Sequence, residues 1–349
     1  LAAWLGALNP DWGWAVGVTG ADAAATGDGA VTEQVWATAS RDERLRMLRT
    51  LHAADPPTAR QLLDSTWTTE AAADRASFLE ALAGALTDDD EPFLDAALDD
   101  RAKSVRAVAS ALLDSVPRSR RAERMAERVR PLVSMEGRLR KRIAVALPDE
   151  LDAAARRDGV VDDGKPSGLG QRAWWFAQLV RGTALDVWPA LLGAPPRDLL
   201  GRGAPPELLI GWRLAAVAQR DVAWIESLFA HQPSVDLLRV LDASTAQRAV
   251  AGVWRSIGDN ALAPVVGSTA GPWTLEFSTM VVARYRKLGT KAPMLPTIVH
   301  ALAAQLHPGA AADVERWIGD LADDEYSRRQ VRTLHHALTL RQTIAEEFR

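Results

Sequence analysis

The stretch from Asp99 to Pro117, DDRAKSVRAVASALLDSVP, decides the fold. A short helical pattern ends just before it, at Leu98, and two aspartates follow. A longer amphipathic helix is then predicted over residues 103–115, because apolar side chains recur there every three or four residues, starting at Val105. Two helices joined by so short a turn are expected to lie antiparallel and to bury their apolar faces against each other.

The spacing within this stretch resembles a joint between the two helices of a HEAT repeat. Asp100 precedes Val105 by five residues and Arg106 by six. In HEAT repeats, an aspartate in the turn and a Val-Arg pair early in the second helix hold the same spacing. We expect Asp100 to accept main-chain N–H groups at the start of that helix, and Arg106 to reach an aspartate of an adjacent repeat. The pattern is therefore architectural and requires no acid–base chemistry.

Helical patterns recur along the whole chain, and strand patterns are scarce. We predict roughly 14 to 16 helices joined by loops of about 2 to 8 residues, a spacing typical of stacked antiparallel pairs. The predicted fold is all-α, an α-solenoid of HEAT-like helix pairs. One exception is residues 131–147, where Gly137 and the alternation of Ile143, Val145 and Leu147 predict a small β-hairpin.

A segment rich in glycine and aspartate suggests a boundary within the chain. Residues 158–170 read DGVVDDGKPSGLG, a composition typical of loops. We predict an N-terminal HEAT-like helical segment over 1–150, a linker over 151–170 and a C-terminal helical-repeat segment over 171–349.

The composition limits the classes of function. A net charge of −4 over 349 residues argues against a globally cationic nucleic-acid binder, though not against a local basic face. Cysteine is absent, which excludes disulfides, thiol nucleophiles and Cys-ligated metals, and fits a cytoplasmic protein. No apolar run reaches the length of a membrane span. Only five of the 41 basic residues are lysine, and the 13 tryptophans are expected to anchor the core.

Four stretches resemble an uncharacterised bacterial family of HEAT-like helical proteins: WLGALNPDWGW, RASFLEAL, DDDEPFLDAALDDRAKSVRAVASALL and GLGQRAWW. Members are commonly encoded beside an AAA-type ATPase, a von Willebrand factor A-domain protein and a SWIM zinc-finger protein. The resemblance implies an accessory or scaffold role with a protein partner, and it supplies no catalytic residues. Members also extend further at the N-terminus. This chain starts as if within a helix and without methionine, so we expect an N-terminal portion to be missing.

The strongest local charge feature runs from Arg118 to Arg142, with ten basic residues against three acidic ones. It offers a candidate interaction patch formed by Arg120, Arg121, Arg124, Arg128, Arg138, Arg140 and Arg142. One interpretation is a surface for phosphate, nucleic acid or an acidic partner. The other is a solvated helix face with internal pairs between Glu123 and Arg120, and between Glu127 and Arg124.

Other residue clusters give no site. The seven acidic residues within 88–100 are explained as helix caps, and their spacing does not fit a calcium loop. His335 and His336 are adjacent and point apart, and no Ser-His-Asp order, phosphate loop or dinucleotide motif is present. We predict no catalytic residue, metal or cofactor, and no membrane partner. The favoured function is a non-enzymatic scaffold or protein-interaction module. The alternative is a HEAT-solenoid nucleic-acid binder or DNA glycosylase-like enzyme that uses the arginine-rich surface.

Overall fold

The computed structural model describes residues 32–138, 140–289, 295–321 and 324–347. These residues form 20 α-helices and one two-stranded antiparallel sheet, which confirms a mainly helical chain with a single small hairpin near 131–147. They divide into two compact units, one that ends at Leu86 and one over Thr87–Arg349. The N-terminal stretch WLGALNPDWGW lies outside the described residues.

The first unit holds four helices: α1 Glu33–Thr38, α2 Arg41–Ala54, α3 Pro56–Thr66 and α4 Ala72–Leu82. Helix α2 starts with a capping box, in which Ser40 and Glu43 satisfy each other's main-chain N–H groups. Trp36 is fully buried, lies 5.6 Å from the ring of Phe78 and donates its indole N–H to Thr66. Tryptophan is thus a core anchor here, as the sequence predicts.

The second unit begins with three helices, the hairpin and two further helices. In order these are α5 Glu91–Ala97, α6 Lys103–Leu113, α7 Arg120–Val129, β1 Val133–Glu136, β2 Arg142–Val145, α8 Ala153–Arg157 and α9 Gln171–Arg181. The remaining helices are α10 Val187–Leu192, α11 Pro196–Leu200, α12 Pro206–Gln219, α13 Val222–His231, α14 Val235–Leu238, α15 Ala243–Val253, α16 Asp259–Ser268, α17 Leu275–Leu288, α18 Leu295–Gln305, α19 Ala311–Asp320 and α20 Glu325–Glu347. The expected 14 to 16 helices are too few, because helices as short as α8, α11 and α14 show no helical period in the sequence.

The turn between α5 and α6 contains the predicted joint. The side chain of Asp100 accepts the N–H of Ala102 at 2.8 Å, at the start of α6, and Val105 is fully buried against the partner helix. Arg106 donates to the carbonyl oxygens of Asp100 at 2.6 Å and Arg101 at 3.0 Å. These two hydrogen bonds close its own turn, whereas the sequence suggested a bond to an adjacent repeat.

Beyond α9, helices pack mainly against helices two positions away in the chain. Helix α11 lies against α13 and α13 against α15, while α12, α14, α16, α18 and α20 contact one another in succession. Trp212 on α12 is fully buried, with its ring 5.5 Å from Trp188 and 5.0 Å from Trp224. These three side chains fill the space between successive helices.

The most extensive helix contact in the second unit is between α9 and α12. It depends on Gly211, since a Cβ at that position would lie 2.4 Å from the Cβ of Val180 and 2.8 Å from the carbonyl oxygen of Ala177. Only a residue without a side chain lets these two helices approach so closely.

Part of the segment 151–170 is folded and packs within the second unit. It contains the short helix α8, and Asp158 and Val160 behind it are buried. Residues 158–170 form no helix or strand, as the composition predicts. The division of the chain into segments 1–150 and 171–349 stays a prediction.

Candidate interaction surface

Helix α7 carries most of the arginines of the predicted patch. Ser119 caps it by accepting the N–H of Ala122 at 3.2 Å, and its buried face is small or apolar, with Ala122, Met125, Ala126 and Val129. Arg121, Arg124 and Arg128 follow one another at three- and four-residue spacing, so they lie on one side of the helix. That side faces acidic groups from three other segments of the chain.

Arg121 is an interior residue, with a side chain only 3% exposed. Its guanidinium donates to Asp114 at 2.8 Å, to the Ser110 hydroxyl at 2.9 Å and to the main-chain oxygen of Asp158 at 2.7 Å. Arg181 on α9 also pairs with the buried carboxylate of Asp114. Three parts of the second unit therefore meet at one arginine.

Arg124 and Arg128 share a single buried carboxylate. Arg124 donates to Asp158 at 2.6 Å and to Asp95 at 2.7 Å, and Arg128 donates to Asp158 at 2.8 Å. The Asp158 side chain is 1% exposed, and both of its oxygens accept these bonds. We refer to Asp95, Asp114 and Asp158, with Arg121, Arg124 and Arg128, as the Arg–Asp network.

Two further arginines extend this network toward the surface. Arg157, at the end of α8, bonds both oxygens of Asp99 at 2.8 Å and the main-chain oxygen of Asp95 at 3.0 Å. Arg120 is exposed and donates to Glu91 at 3.0 Å. Every arginine of the predicted patch that lies on α7 is thus paired with a carboxylate from outside that helix.

Two carboxylates of the network, Asp95 and Asp158, stay ionised near neutral pH because their pKa values are lowered. Burial raises the pKa of Asp158, but the hydrogen bonds and charges of Arg124 and Arg128 outweigh it and leave that pKa below its usual value. The pKa of Asp95 is lowered in the same way by Arg124 and Arg157, against the effect of burial. General acid–base catalysis works best with a pKa near the working pH, so these carboxylates suit a structural role.

The partners found for α7 differ from those considered in the sequence. Glu123 and Glu127 are exposed and line a cleft of about 560 Å³ together with Arg118, Arg130 and Asp186. Arg120 and Arg124 instead pair with carboxylates of other segments. The solvent side of α7 is consequently mixed in charge, so the sequence-predicted patch is not continuous.

The remaining members of the patch lie on the β-hairpin. Arg138, Arg140 and Arg142 are exposed, as is Lys141 between the last two. None of these four cations forms an ion pair with a carboxylate of the described residues. Gly137 starts the turn with a φ of 91°, and a Cβ there would lie 2.4 Å from the carbonyl oxygen of Arg140. The turn therefore requires glycine. Arg138, Arg140 and Lys141 lie in this turn, and Arg142 begins β2, directly across from Glu136 of β1.

The sequence pattern does not predict the roles of Asp95, Asp114 and Asp158 in the network, or that of Arg157 beside it. In the sequence, Asp95 belongs to a run of helix-capping carboxylates, and Asp158 opens a segment with the composition of a loop. One signal of the network is present in the sequence: arginines lie beside the apolar face of the same helix. Arginines that are buried with such a face need carboxylates as counter-charges.

Two negative findings apply to the described residues. In these ranges no three histidine, aspartate or glutamate side chains converge closely enough to bind a metal ion. None of the helices the structure describes combines the length and the apolar character that crossing a membrane requires.

The family model with the description "Family of unknown function (DUF5691)" matches residues 2–348. The match spans nearly the whole chain, so the chain belongs to this family. Neither the curated proteins nor the solved structures gave a match.

Proposed function

We propose that this protein is a non-enzymatic α-solenoid of HEAT-like helix pairs that binds another protein as the scaffold or accessory of a larger assembly. The partner proposed is an AAA-type ATPase or a von Willebrand factor A-domain protein of the neighbourhood that the sequence resemblance implies. We place this assembly in the cytoplasm, in keeping with the absence of cysteine.

The solenoid part of the proposal is supported by local geometry and by helix contacts. In the α5–α6 joint, Asp100 accepts the N–H of Ala102 at the start of the second helix, and Arg106 donates to the carbonyl oxygen of Asp100 in the turn. In the second unit, contacts between helices two positions apart are what stacked helix pairs produce. Such stacks present extended surfaces to partners, which is the usual use of helical repeats.

The observation that carries the binding part is a contrast between two groups of arginines. Those on α7 are bound to carboxylates within the protein, whereas Arg138, Arg140 and Arg142 are exposed on the hairpin and form no ion pair within the part of the chain that the structure describes. A cluster of unpaired like charges costs folding energy through repulsion and adds nothing to the core. Its position at an exposed turn favours a role in recognition, where Arg forms bidentate bonds with carboxylates.

The test is direct binding of the purified full chain to the purified ATPase encoded beside it. We expect the two to co-elute in size-exclusion chromatography at micromolar concentration. The triple variant Arg138→Glu/Arg140→Glu/Arg142→Glu is expected to weaken the complex, while Arg239→Glu/Arg255→Glu/Arg329→Glu, which changes the net charge equally at exposed sites elsewhere, is expected to leave it intact. The von Willebrand factor A-domain protein is tested in the same way. If the chain elutes separately from the ATPase and also from the A-domain protein, the proposal is contradicted.

The second candidate function is nucleic-acid binding, for which the same hairpin cations are the supporting observation. Phosphate contacts make affinity fall with salt by a slope of roughly −0.9 per contact, so four cations on duplex DNA would give a slope no steeper than about −4. The arginines of α7 cannot contribute without breaking their internal ion pairs. If duplex DNA binds with such a slope and the hairpin variant abolishes it, this candidate replaces the first.

A further inference from the structure

In the hairpin, residue pairs that are hydrogen-bonded across the two strands alternate with pairs that are not. This alternation shows which main-chain groups bond between the strands and which point outward. Ser134 pairs with Ala144 and Met135 with Ile143 across the two strands. The N–H of Ala146 donates to the Leu132 oxygen at 2.8 Å, which makes 132 and 146 a hydrogen-bonded pair. Because such pairs alternate along an antiparallel ladder, Ser134 bonds toward β2, while Met135 directs its N–H and C=O away from it.

The two outer edges of this sheet differ in whether another segment of the chain forms hydrogen bonds with them. On the β2 side, the N–H of Ile143 points outward and donates to the main-chain oxygen of Arg202 at 3.3 Å, so a neighbouring loop covers that edge. On the β1 side, no main-chain group of the described residues bonds to the N–H or C=O of Met135. An open strand edge of this kind is a template for another extended chain.

The open edge leads directly to the basic turn. Glu136 ends β1, and Arg138, Arg140, Lys141 and Arg142 follow within six residues, all exposed. A chain paired along β1 would continue past these cations. Its side chains would meet an electrostatic field that favours carboxylates and disfavours lysine and arginine.

We propose that the β1 edge and the hairpin tip together bind an extended acidic segment of a partner protein, which adds to the sheet as a third strand. This inference rests on the proposed function and names the chemistry of the segment recognised. Main-chain hydrogen bonds to Met135 supply affinity regardless of sequence, and the cations select glutamate- or aspartate-rich segments. Residues 131–147 contain no aromatic side chain on which bases could stack, which favours a peptide over single-stranded nucleic acid.

The probe is a synthetic peptide of about ten residues that alternates glutamate with valine or threonine, carries a fluorophore, and is titrated with the full chain by anisotropy. We expect saturable binding that is at least tenfold weaker for Arg138→Glu/Arg140→Glu/Arg142→Glu. The control variant Arg239→Glu/Arg255→Glu/Arg329→Glu should bind as the wild type does. Circular dichroism melts check that both variants keep the wild-type fold.

A second peptide separates strand addition from simple charge attraction. Methylation of two consecutive central amide nitrogens keeps every carboxylate but removes a donor from each edge of the extended peptide. We expect this peptide to bind at least tenfold more weakly than its parent. Equal affinity of the two peptides would overturn strand addition, and no saturable binding of the parent peptide would overturn the inference as a whole.

Three further outcomes distinguish this inference from the other proposals. Tighter binding of duplex DNA than of the peptide, with the same loss in the hairpin variant, would overturn the inference in favour of a nucleic-acid surface. If the ATPase co-elutes but the acidic peptide does not compete with it and the hairpin variant has no effect, the scaffold function stands and this inference fails. If the peptide binds and neither candidate protein does, the inference stands and that choice of partner fails.

Discussion

The guanidinium of Arg124 lies 2.6 Å from the carboxylate of Asp158, a residue 34 positions later in the chain. Asp158 follows α8 in the segment that the composition marks as a loop, and its side chain is almost completely buried. The pairing fixes this segment on α7. It also compensates, with a buried carboxylate, the charge of an arginine that the sequence alone offers as part of a binding patch.

The first prediction concerns the stability contributed by Asp158. Asp158→Asn removes the charge that two arginines share, so Arg128 loses its buried counter-ion and Arg124 keeps only Asp95. We expect the free energy of unfolding to fall by about 3 kcal/mol, the lower end for a broken buried ion pair. Urea denaturation followed by circular dichroism measures the loss.

The matched control is Asp163→Asn, at a carboxylate that is 77% exposed and pairs with Lys103 at 2.7 Å. Exposed pairs contribute little, so we expect a change below about 1 kcal/mol. A loss of the same size in both variants would show that burial of the network does not matter.

The second prediction concerns pH. The pKa values of Asp95 and Asp158 are lowered in the folded protein, chiefly by hydrogen bonds from the arginines that overcome burial. Such groups stabilise the fold fully above their unfolded pKa of about 3.9, and this contribution is lost as the pH falls through the folded pKa. We therefore expect little change in stability between pH 7 and 5 from these groups, and a steep fall below about pH 4.

The Asp158→Asn variant tests the assignment of this acid-dependent fall. Protonated aspartate and asparagine are both uncharged, so the difference in unfolding free energy between wild type and variant should shrink as the pH is lowered from 7 toward 3. An equal difference at both pH values would assign the acid sensitivity to other carboxylates.

The hairpin was predictable because its signals are local. Glycine at the turn and alternating apolar residues in the second arm lie within a few positions of each other. A two-stranded sheet forms within the predicted 131–147, and its second strand ends at Val145, before Leu147. The α5–α6 joint is also a local pattern, and Asp100 makes the N–H contact that the sequence predicts.

The Arg–Asp network could not be predicted because its partners are distant in sequence. Arg124 meets Asp95 and Asp158, which lie 29 and 34 residues away, and only the packed fold brings them together. The spacing of charges along α7 favours pairs within the helix, such as Glu123 with Arg120. Such pairs need no contact with a distant part of the chain. The structure instead pairs Arg124 with Asp95 and Asp158 of other segments, where loss of one partner would leave an uncompensated buried charge.

The third prediction concerns the close approach of α9 and α12 at Gly211. Gly211→Ala would place a Cβ 2.4 Å from Val180, so one helix must shift or the Val180 side chain must leave its rotamer. We expect a loss of about 1–3 kcal/mol, typical of overpacking. Gly252→Ala on α15 is the matched control, because a Cβ there meets nothing within 4 Å, and better helix propensity should raise stability by roughly 1 kcal/mol. Similar melting temperatures for the two variants would contradict the assignment.

The fourth prediction concerns the hairpin turn. Gly137→Ala forces alanine into a φ of 91° and brings its Cβ to 2.4 Å from the Arg140 oxygen, so we expect the hairpin to open locally at a cost above about 1 kcal/mol. Hydrogen exchange should accelerate at the N–H of Ala146 and leave the amides of α9 unchanged. Gly168→Ala has a similar φ of 80° with nothing within 4 Å, so it carries backbone strain without the clash and should leave exchange in the hairpin as in the wild type. Unchanged protection of Ala146 in Gly137→Ala would mean that the turn tolerates a side chain at this position and that the cations at the tip do not depend on glycine for their placement.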